Sequence, residues 1–123
     1  MKGNAVGWFE IYVEDMDRAK RFYQTVFDVK LERLGNDEPE MWSFPGNTNT
    51  YGASGALVKM PKFQVGKNSV LIYFSSADCT IEEKRIKENG GKIEKSKFSI
   101  AQYGYIAIGY DTERNMLGLH SMK

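Results

Sequence analysis

Apolar and polar side chains alternate along residues 6–13, a segment rich in β-branched and aromatic residues. This pattern predicts a β-strand with Phe9 and Ile11 on one face. Asp15 follows as a helix N-cap, and apolar residues then recur at helical spacing until a predicted helix end near Asp28. The apolar residues of that helical stripe are Ala19, Phe22, Tyr23 and Val26. Three shorter strands, predicted over residues 30–34, 41–44 and 55–60, complete a βαβββ order.

The second half of the chain repeats this order. A strand is predicted over residues 70–75, and Asp78 then caps a helix over residues 81–89 that ends at Gly90 and Gly91. A shift of 63 residues lays Asp15 on Asp78, which indicates an internal repeat. Three further strands are predicted over residues 92–98, 105–110 and 116–122. The second helix offers only Cys79, Ile81 and Ile86 for burial.

The repeat predicts an α+β fold of two βαβββ modules, about 5–61 and about 68–122, within a single domain of residues 1–123. Strand alternation then divides the side chains between a dry face under the helices and an opposite, ligand-accessible face. The dry face is expected to hold Phe9, Ile11, Val13, Val70, Ile72, Phe74, Leu117 and Leu119. The opposite face is expected to hold Trp8, Glu10, Tyr12, Leu71, Tyr73, Ser75, Gly118 and His120.

Composition narrows the class of protein. The 123 residues carry a formal net charge of +1, which gives no long-range field to attract nucleic acid or an anionic membrane. Cys79 is the only cysteine, so an intrachain disulfide scaffold is excluded and a reducing, cytoplasmic location is expected. No apolar run approaches the length of a membrane span. We therefore expect neither nucleic-acid nor membrane partners.

Two segments carry a family resemblance. Residues 8–27 read WFEIYVEDMDRAKRFYQTVF, and residues 103–105 and 111–120 read YGY and DTERNMLGLH. Together they resemble the two modules of the vicinal-oxygen-chelate superfamily, which includes glyoxalase I, extradiol dioxygenases, and fosfomycin- and bleomycin-resistance proteins. The resemblance implies a curved, mixed eight-stranded sheet with both helices on its convex face and a pocket in its concave face. It also implies a homodimer, which would cover exposed strand edges.

The metal ligands of that superfamily have no counterparts here. The resemblance puts three of the four ligand positions at Trp8, Leu71 and Gly118, none of which offers an oxygen or imidazole ligand. The fourth falls in a stretch, residues 41–77, that contains no Asp or Glu. We therefore expect no cofactor and a metal-free pocket. Glu10 and His120 share a face and remain an alternative for holding a weakly bound ion.

Glu10 and His120 are the candidate catalytic residues, because a carboxylate and an imidazole on one face form a plausible acid/base pair. The alternatives are a structural hydrogen bond for Glu10 and pocket lining for His120. Two functions follow: a metal-independent lyase or isomerase of the glyoxalase-like group, or a protein that binds and sequesters a small molecule, of the bleomycin-resistance type. The candidate ligand-binding residues are Trp8, Tyr12, Leu71, Tyr73 and Gly118.

Overall fold

The computed structural model describes residues 3–47 and 49–123, and it contains two βαβββ modules. The predicted α+β class with its internal repeat is therefore confirmed. The first module contains β1 (Trp8–Tyr12), α1 (Met16–Phe27), β2 (Glu32–Arg33), β3 (Glu40–Ser43) and β4 (Ser54–Lys59). The second contains β5 (Tyr73–Ser75), α2 (Cys79–Glu88), β6 (Lys92–Ser99), β7 (Tyr105–Tyr110) and β8 (Met116–Ser121), with a short 3-10 helix at Ala101–Tyr103.

The strands form two sheets of four with the same topology. Their orders are β1-β4-β3-β2 and β5-β8-β7-β6, so the first strand of each module lies at an edge. Each edge strand pairs in parallel with the last strand of its module, with Glu10 beside Ala56 in one sheet and Tyr73 beside Gly118 in the other. Within the described residues no strand pairing joins the two sheets, so β1 and β5 keep free edges.

Helix α1 is built as its periodicity predicts. The Asp15 side chain accepts a hydrogen bond from the Arg18 N–H at 3.0 Å, and Asp28 ends the helix in the left-handed conformation with φ of 51°. One face of the helix is buried against the first sheet and supplies the largest buried side chains, Tyr23 and Phe22. The buried residues of α1 are Met16, Ala19, Phe22, Tyr23 and Val26.

Helix α2 buries fewer side chains than α1. Asp78 caps it as predicted, accepting from the Thr80 N–H at 3.0 Å, but the helix begins at Cys79 rather than at residue 81. Only Cys79 and Ile86 are buried, and Ile81, which we expected in the core, is 43% exposed. Charged side chains occupy the rest of this helix, so its apolar face is narrow.

The predicted strand over residues 70–75 is shorter than expected, and Val70 is not part of the dry layer. Val70 is 68% exposed, and β5 begins only at Tyr73. The reason is Asn68, whose side chain accepts from the Met116 N–H at 2.9 Å and donates to the Val70 carbonyl. This side chain takes the place of regular strand pairing at the start of β5, and Val70 turns outward.

The turn between β7 and β8 joins the two modules. Glu113 in this turn is fully buried, and its carboxylate accepts from the backbone N–H groups of Glu14 and Asp15 at 2.9 Å each. Arg18 donates to the same carboxylate from Nε at 2.7 Å. Burial alone would raise the pKa of Glu113, but these donors outweigh it and lower the pKa to about 2. The second module therefore supplies the anion at the N-terminus of α1.

A second buried network lies beside Glu113. The Tyr23 hydroxyl donates to Asp111 Oδ2 at 2.6 Å, and the Asn115 side-chain amide donates to Asp111 and to the Tyr12 carbonyl. Burial raises the pKa of Tyr23 well above its ordinary value, and it also raises the pKa of Asp111 despite its hydrogen bonds. This network fixes the end of β1 relative to the start of β8.

No helix among the described residues is long and apolar enough to cross a membrane.

Candidate ligand-binding cleft

An open cleft of about 1550 Å³ lies between the two sheets. Both β1 and β5 contribute to its walls: Trp8, Glu10 and Tyr12 from one face of β1, and Tyr73 and Ser75 from one face of β5. Phe9, Ile11 and Phe74, which we expected only in the dry layer, also line it, because both faces of these edge strands reach the cleft. Because these strands are the free edges of their sheets, the cleft follows directly from the topology. It is the place where the repeated modules face each other.

Trp8, Glu10 and Tyr12 form one hydrogen-bonded group on the cleft face of β1, which we call the β1 triad. Trp8 Nε1 donates to Glu10 Oε2 at 3.3 Å, and the Tyr12 hydroxyl donates to Glu10 Oε1 at 2.9 Å. The i, i+2 spacing places all three side chains on one face, as alternation predicts. Partial burial, with the hydrogen bond to Glu10, raises the pKa of Tyr12, so this phenol stays a donor.

Tyr73 covers Gly118 on the opposite wall. The two residues are in register on β5 and β8, and a Cβ added to Gly118 would meet the Tyr73 ring at 2.4 Å. Gly118 is therefore buried beneath this ring, which presents the surface to the cleft and stays 45% exposed. Leu71 also lines the cleft and is half-buried.

His120 lies one strand behind the edge, in register with Ser75 of β5 and Ile106 of β7. It lines the same cleft as Glu10, but its Nε2 lies 2.6 Å from the Tyr103 carbonyl oxygen. Because a carbonyl only accepts, Nε2 carries the hydrogen of this hydrogen bond. No hydrogen bond connects His120 with Glu10 in the part of the chain that the structure describes.

The residues present do not fit a divalent metal ion. Among residues 3–47 and 49–123, no group of three or more His, Cys, Asp and Glu side chains lies close enough together to hold one. At Gly118 a side chain would meet the Tyr73 ring, so a ligating group would fit there only if that ring moved. Glu10 is hydrogen-bonded to Trp8 and Tyr12, and His120 to the Tyr103 carbonyl, so these two candidate ligands are held by different partners.

Sequence reasoning missed several residues at the cleft, among them Phe63 and Ile106. Phe63, in the connection between the modules, lies against the Tyr12 ring with centroids 4.8 Å apart. No periodicity marks that segment, so nothing in the sequence pointed to it. Ile106 lines the cleft from β7, where it pairs with His120 of β8. Because paired residues of neighbouring strands share a face of the sheet, the face predicted for His120 would have identified Ile106.

Trp42 lies on the other face of its sheet. The Lys20 ammonium lies 3.2 Å from its ring centroid, and Trp42 Nε1 donates to Glu40 at 2.9 Å. Trp42 packs against the core cluster that contains the α1 stripe. The two tryptophans of the chain therefore report on different regions: Trp8 on the cleft and Trp42 on the contact between α1 and the first sheet.

The chain is thus a protein of two repeated βαβββ modules with a cleft between β1 and β5. The sequence matches a family model over residues 5–118. The chain is a member of the glyoxalase/bleomycin resistance protein/dioxygenase superfamily. No curated protein matches it.

Solved structures share the fold over the whole chain. The antibiotic binding protein TnmS3 from Streptomyces sp. CB03234 is 22% identical, with a TM-score of 0.69 and 98% of both chains covered. The fosfomycin resistance protein FosX from Listeria monocytogenes is 17% identical, with a TM-score of 0.68 and 98% of this chain and 92% of that chain covered. A glyoxylase/bleomycin resistance protein/dioxygenase domain from Frankia sp. EAN1pec is 17% identical, with a TM-score of 0.74 and coverage of 99% and 100%. At these identities the likeness concerns the fold.

Proposed function

We propose that the cleft between β1 and β5 binds a small molecule that contains a flat apolar group. The observation that carries this proposal is that Trp8 and Tyr73, one from each edge strand, line the cleft and are each 45% exposed. Aromatic rings at the walls of a concave site are the usual surface for stacking a planar ligand. A metal-free pocket is part of the proposal, because the donor groups do not fit a metal.

Binding without turnover is the function that the geometry supports best. Glu10 is oriented by Trp8 and Tyr12, and His120 by the Tyr103 carbonyl, so neither group activates the other. A sequestering protein needs only oriented contacts and an accessible cleft. One structure with the same fold, TnmS3, is described as an antibiotic binding protein, which agrees with this use of the fold.

Tryptophan quenching tests the proposal, because the two tryptophans lie on different faces. The Trp42→Phe variant keeps only Trp8 in the cleft, and Trp8→Phe keeps only Trp42 under Lys20. The probe is 4-nitrobenzyl alcohol, a neutral, non-fluorescent aromatic quencher, at millimolar concentrations. We expect saturable quenching in Trp42→Phe and only linear, collisional quenching in Trp8→Phe. Equal, linear quenching in both variants would contradict a binding site at the cleft.

Native mass spectrometry of the purified protein complements this test. A copurified small molecule that leaves on mild denaturation would identify the natural ligand. We expect its mass to disappear in a Trp8→Ala, Tyr73→Ala variant that lacks both stacking surfaces.

A metal-independent lyase or isomerase is the second candidate. The observation in its favour is that His120 and Glu10 line the same cleft, and that the hydrogen bond of His120 to the Tyr103 carbonyl uses only Nε2. In that case Glu10→Gln and His120→Asn abolish turnover of the natural ligand while the melting temperature stays nearly unchanged. Unchanged ligand affinity and turnover in both variants would reduce the two residues to bystanders.

The homodimer and the cytoplasmic location also belong to the proposal. Val6 and Val70, 62% and 68% exposed, lie at the cleft rim and give an apolar surface for a second copy to cover. Light scattering at micromolar concentrations tests the dimer, and a constant single-chain mass would refute it. The location rests on the single, buried Cys79.

A further inference from the structure

Glu10 is a carboxylate that forms no ion pair with any residue that the structure describes. Among residues 3–47 and 49–123, every ion pair within 4.0 Å involves other carboxylates: Glu14, Asp78, Glu82, Glu83 and Glu113. Glu10 is instead exposed at the cleft wall. The negative charge of Glu10 is therefore available to pair with a charged group of a ligand that enters the cleft.

The β1 triad fixes the direction of this charge. Trp8 and Tyr12 each use one site on the carboxylate, one on each oxygen. A carboxylate has about four such sites, so two remain for a ligand. The Tyr12 ring is in turn supported by Phe63, so the triad has a rigid side and an open side.

Among the described residues, none of the other charged groups of the cleft forms an ion pair with Glu10. The ionisable side chains along its walls, other than tyrosine, are Glu10, Lys67, Glu82 and His120. Glu82 accepts a hydrogen bond from the Ser76 hydroxyl and lies 4.0 Å from Arg85, so Arg85 already pairs with its negative charge. Lys67 is exposed and, among the described residues, does not lie within 4.0 Å of Glu10, so the Glu10 carboxylate stays unpaired beside the rings of Trp8 and Tyr12.

We propose that the β1 triad binds a cationic nitrogen, so that the ligand class is an aromatic amine or amidine. The carboxylate supplies charge and hydrogen-bond acceptors, and the neighbouring rings of Trp8 and Tyr12 add cation–π attraction. This inference rests on the proposed function, because it names the ligand class of the same cleft. It excludes carboxylate-bearing ligands, which Glu10 would repel.

Three matched probes separate the charge preference from binding itself. They are 4-nitrobenzylamine, 4-nitrobenzyl alcohol and 4-nitrobenzoate, which share one ring and differ in charge. Quenching of Trp8 in the Trp42→Phe background gives the dissociation constant of each. We expect the amine to bind about tenfold more tightly than the alcohol, and the benzoate more weakly than both. Raising the ionic strength should reduce the advantage of the amine and leave the alcohol unchanged.

Glu10→Gln tests the assignment to this residue. The amide oxygen of Gln can still accept from Trp8 or Tyr12, so the site keeps its shape while it loses its charge. We expect the amine and the alcohol to bind Glu10→Gln equally well. The matched control is Glu82→Gln, which removes the other cleft carboxylate and should keep the tenfold preference. The melting temperature of each variant confirms that it is folded.

The outcomes distinguish this inference from the proposed function. If the alcohol saturates Trp8 and the amine binds no better, the cleft is a binding site but the cationic ligand class is wrong. If the preference for the amine survives in Glu10→Gln, the assignment to Glu10 is wrong. If no probe gives saturable quenching, the proposed function fails and this inference fails with it.

Discussion

The two modules share one topology, but their helices are held in different ways. The N-terminus of α1 receives a buried carboxylate, Glu113, which lies 99 residues beyond Glu14 in the sequence. The N-terminus of α2 is held from within its own module, by the cap Asp78 with the Lys97 ammonium at 3.0 Å, and by Ser121, whose Oγ accepts from the Cys79 N–H at 3.2 Å. The first module therefore depends on the second for its helix, whereas the second closes on itself. A repeated fold does not imply a repeated distribution of stability.

Removing the buried carboxylate breaks this comparison most severely. Glu113→Ala leaves the N–H groups of Glu14 and Asp15 without their acceptor and should lower the free energy of unfolding by about 3 kcal/mol. Urea denaturation followed by circular dichroism measures this loss. Arg114→Ala is the control, because Arg114 is the exposed neighbour in the same turn and pairs only with exposed groups. Equal losses in both variants would contradict the special role of Glu113.

Gly55 of β4 and Gly118 of β8 are related by the 63-residue shift, so alanine substitutions at these positions compare the stability of the two sheets. Gly55→Ala places a Cβ 2.3 Å from the Phe9 backbone oxygen, which cannot move away, and should cost about 2 kcal/mol. Gly118→Ala meets only the Tyr73 ring, which is half exposed and able to swing into the cleft. We expect Gly118→Ala to cost less than about 1 kcal/mol but to weaken probe binding. Thermal melts and Trp8 quenching together test this contrast, and a larger stability loss for Gly118→Ala would refute it.

The buried hydroxyl of Tyr23 has a smaller expected effect. Tyr23→Phe removes its hydrogen bond to Asp111 at 2.6 Å and should cost about 1.5 kcal/mol. Tyr110→Phe is the matched control, because its hydroxyl reaches only the exposed Glu94 at 3.4 Å. If the two variants unfold at the same urea concentration, the Asp111 network does not stabilise the junction.

The buried Glu113 carboxylate makes the stability of the fold depend on pH, with a sign that follows from its lowered pKa. The pKa of Glu113 is about 2 in the folded protein, below the ordinary value of 4.5, so its stabilisation is present above pH 4.5 and is lost as pH falls towards 2. The pKa of Asp111 is raised, so this residue acts in the opposite direction. We expect the stability difference between the native protein and Glu113→Gln to shrink by about 1 kcal/mol between pH 6 and pH 3. Urea titrations at fixed pH values measure it, and a constant difference would contradict the assignment.

The ion pair of the second module should matter least. Lys97→Met removes the partner of Asp78 and a contact with the Tyr105 ring, but both charged side chains are partly solvated. We expect a change in unfolding midpoint well below that of Tyr23→Phe. A loss of stability as large as that of Glu113→Ala would show that α2 depends strongly on this one ion pair.

These predictions concern features that the sequence did not reveal, and the reason is physical. Alternation and capping are local, so they located α1, the cap residues Asp15 and Asp78, and the shared face of Trp8, Glu10 and Tyr12. The hydrogen bonds of Glu113 join residues 99 positions apart and leave no local pattern. Val70 was misassigned because a single side chain, Asn68, replaced the strand ladder that its β-propensity favoured.

The candidate site also combines features that the sequence predicts with features that it does not. Sequence alternation could place Glu10 on the cleft face, but not orient its carboxylate between two donors. It could place His120 on the cleft side of β8, but not tie its Nε2 to the carbonyl of Tyr103, which lies outside the strands. Residue faces follow from backbone periodicity, whereas the partners of each polar group depend on loops that periodicity does not describe.

The position of Glu113 has a consequence for biosynthesis. A ribosome releases the chain from its N-terminus, so residues 16–27 emerge long before the turn that completes their helix. Until that turn emerges, the N–H groups of Glu14 and Asp15 can bond only to water, and the nascent first module lacks its anion. Glu14 and Asp15 therefore reach their final hydrogen bonding only after nearly the whole chain has been made.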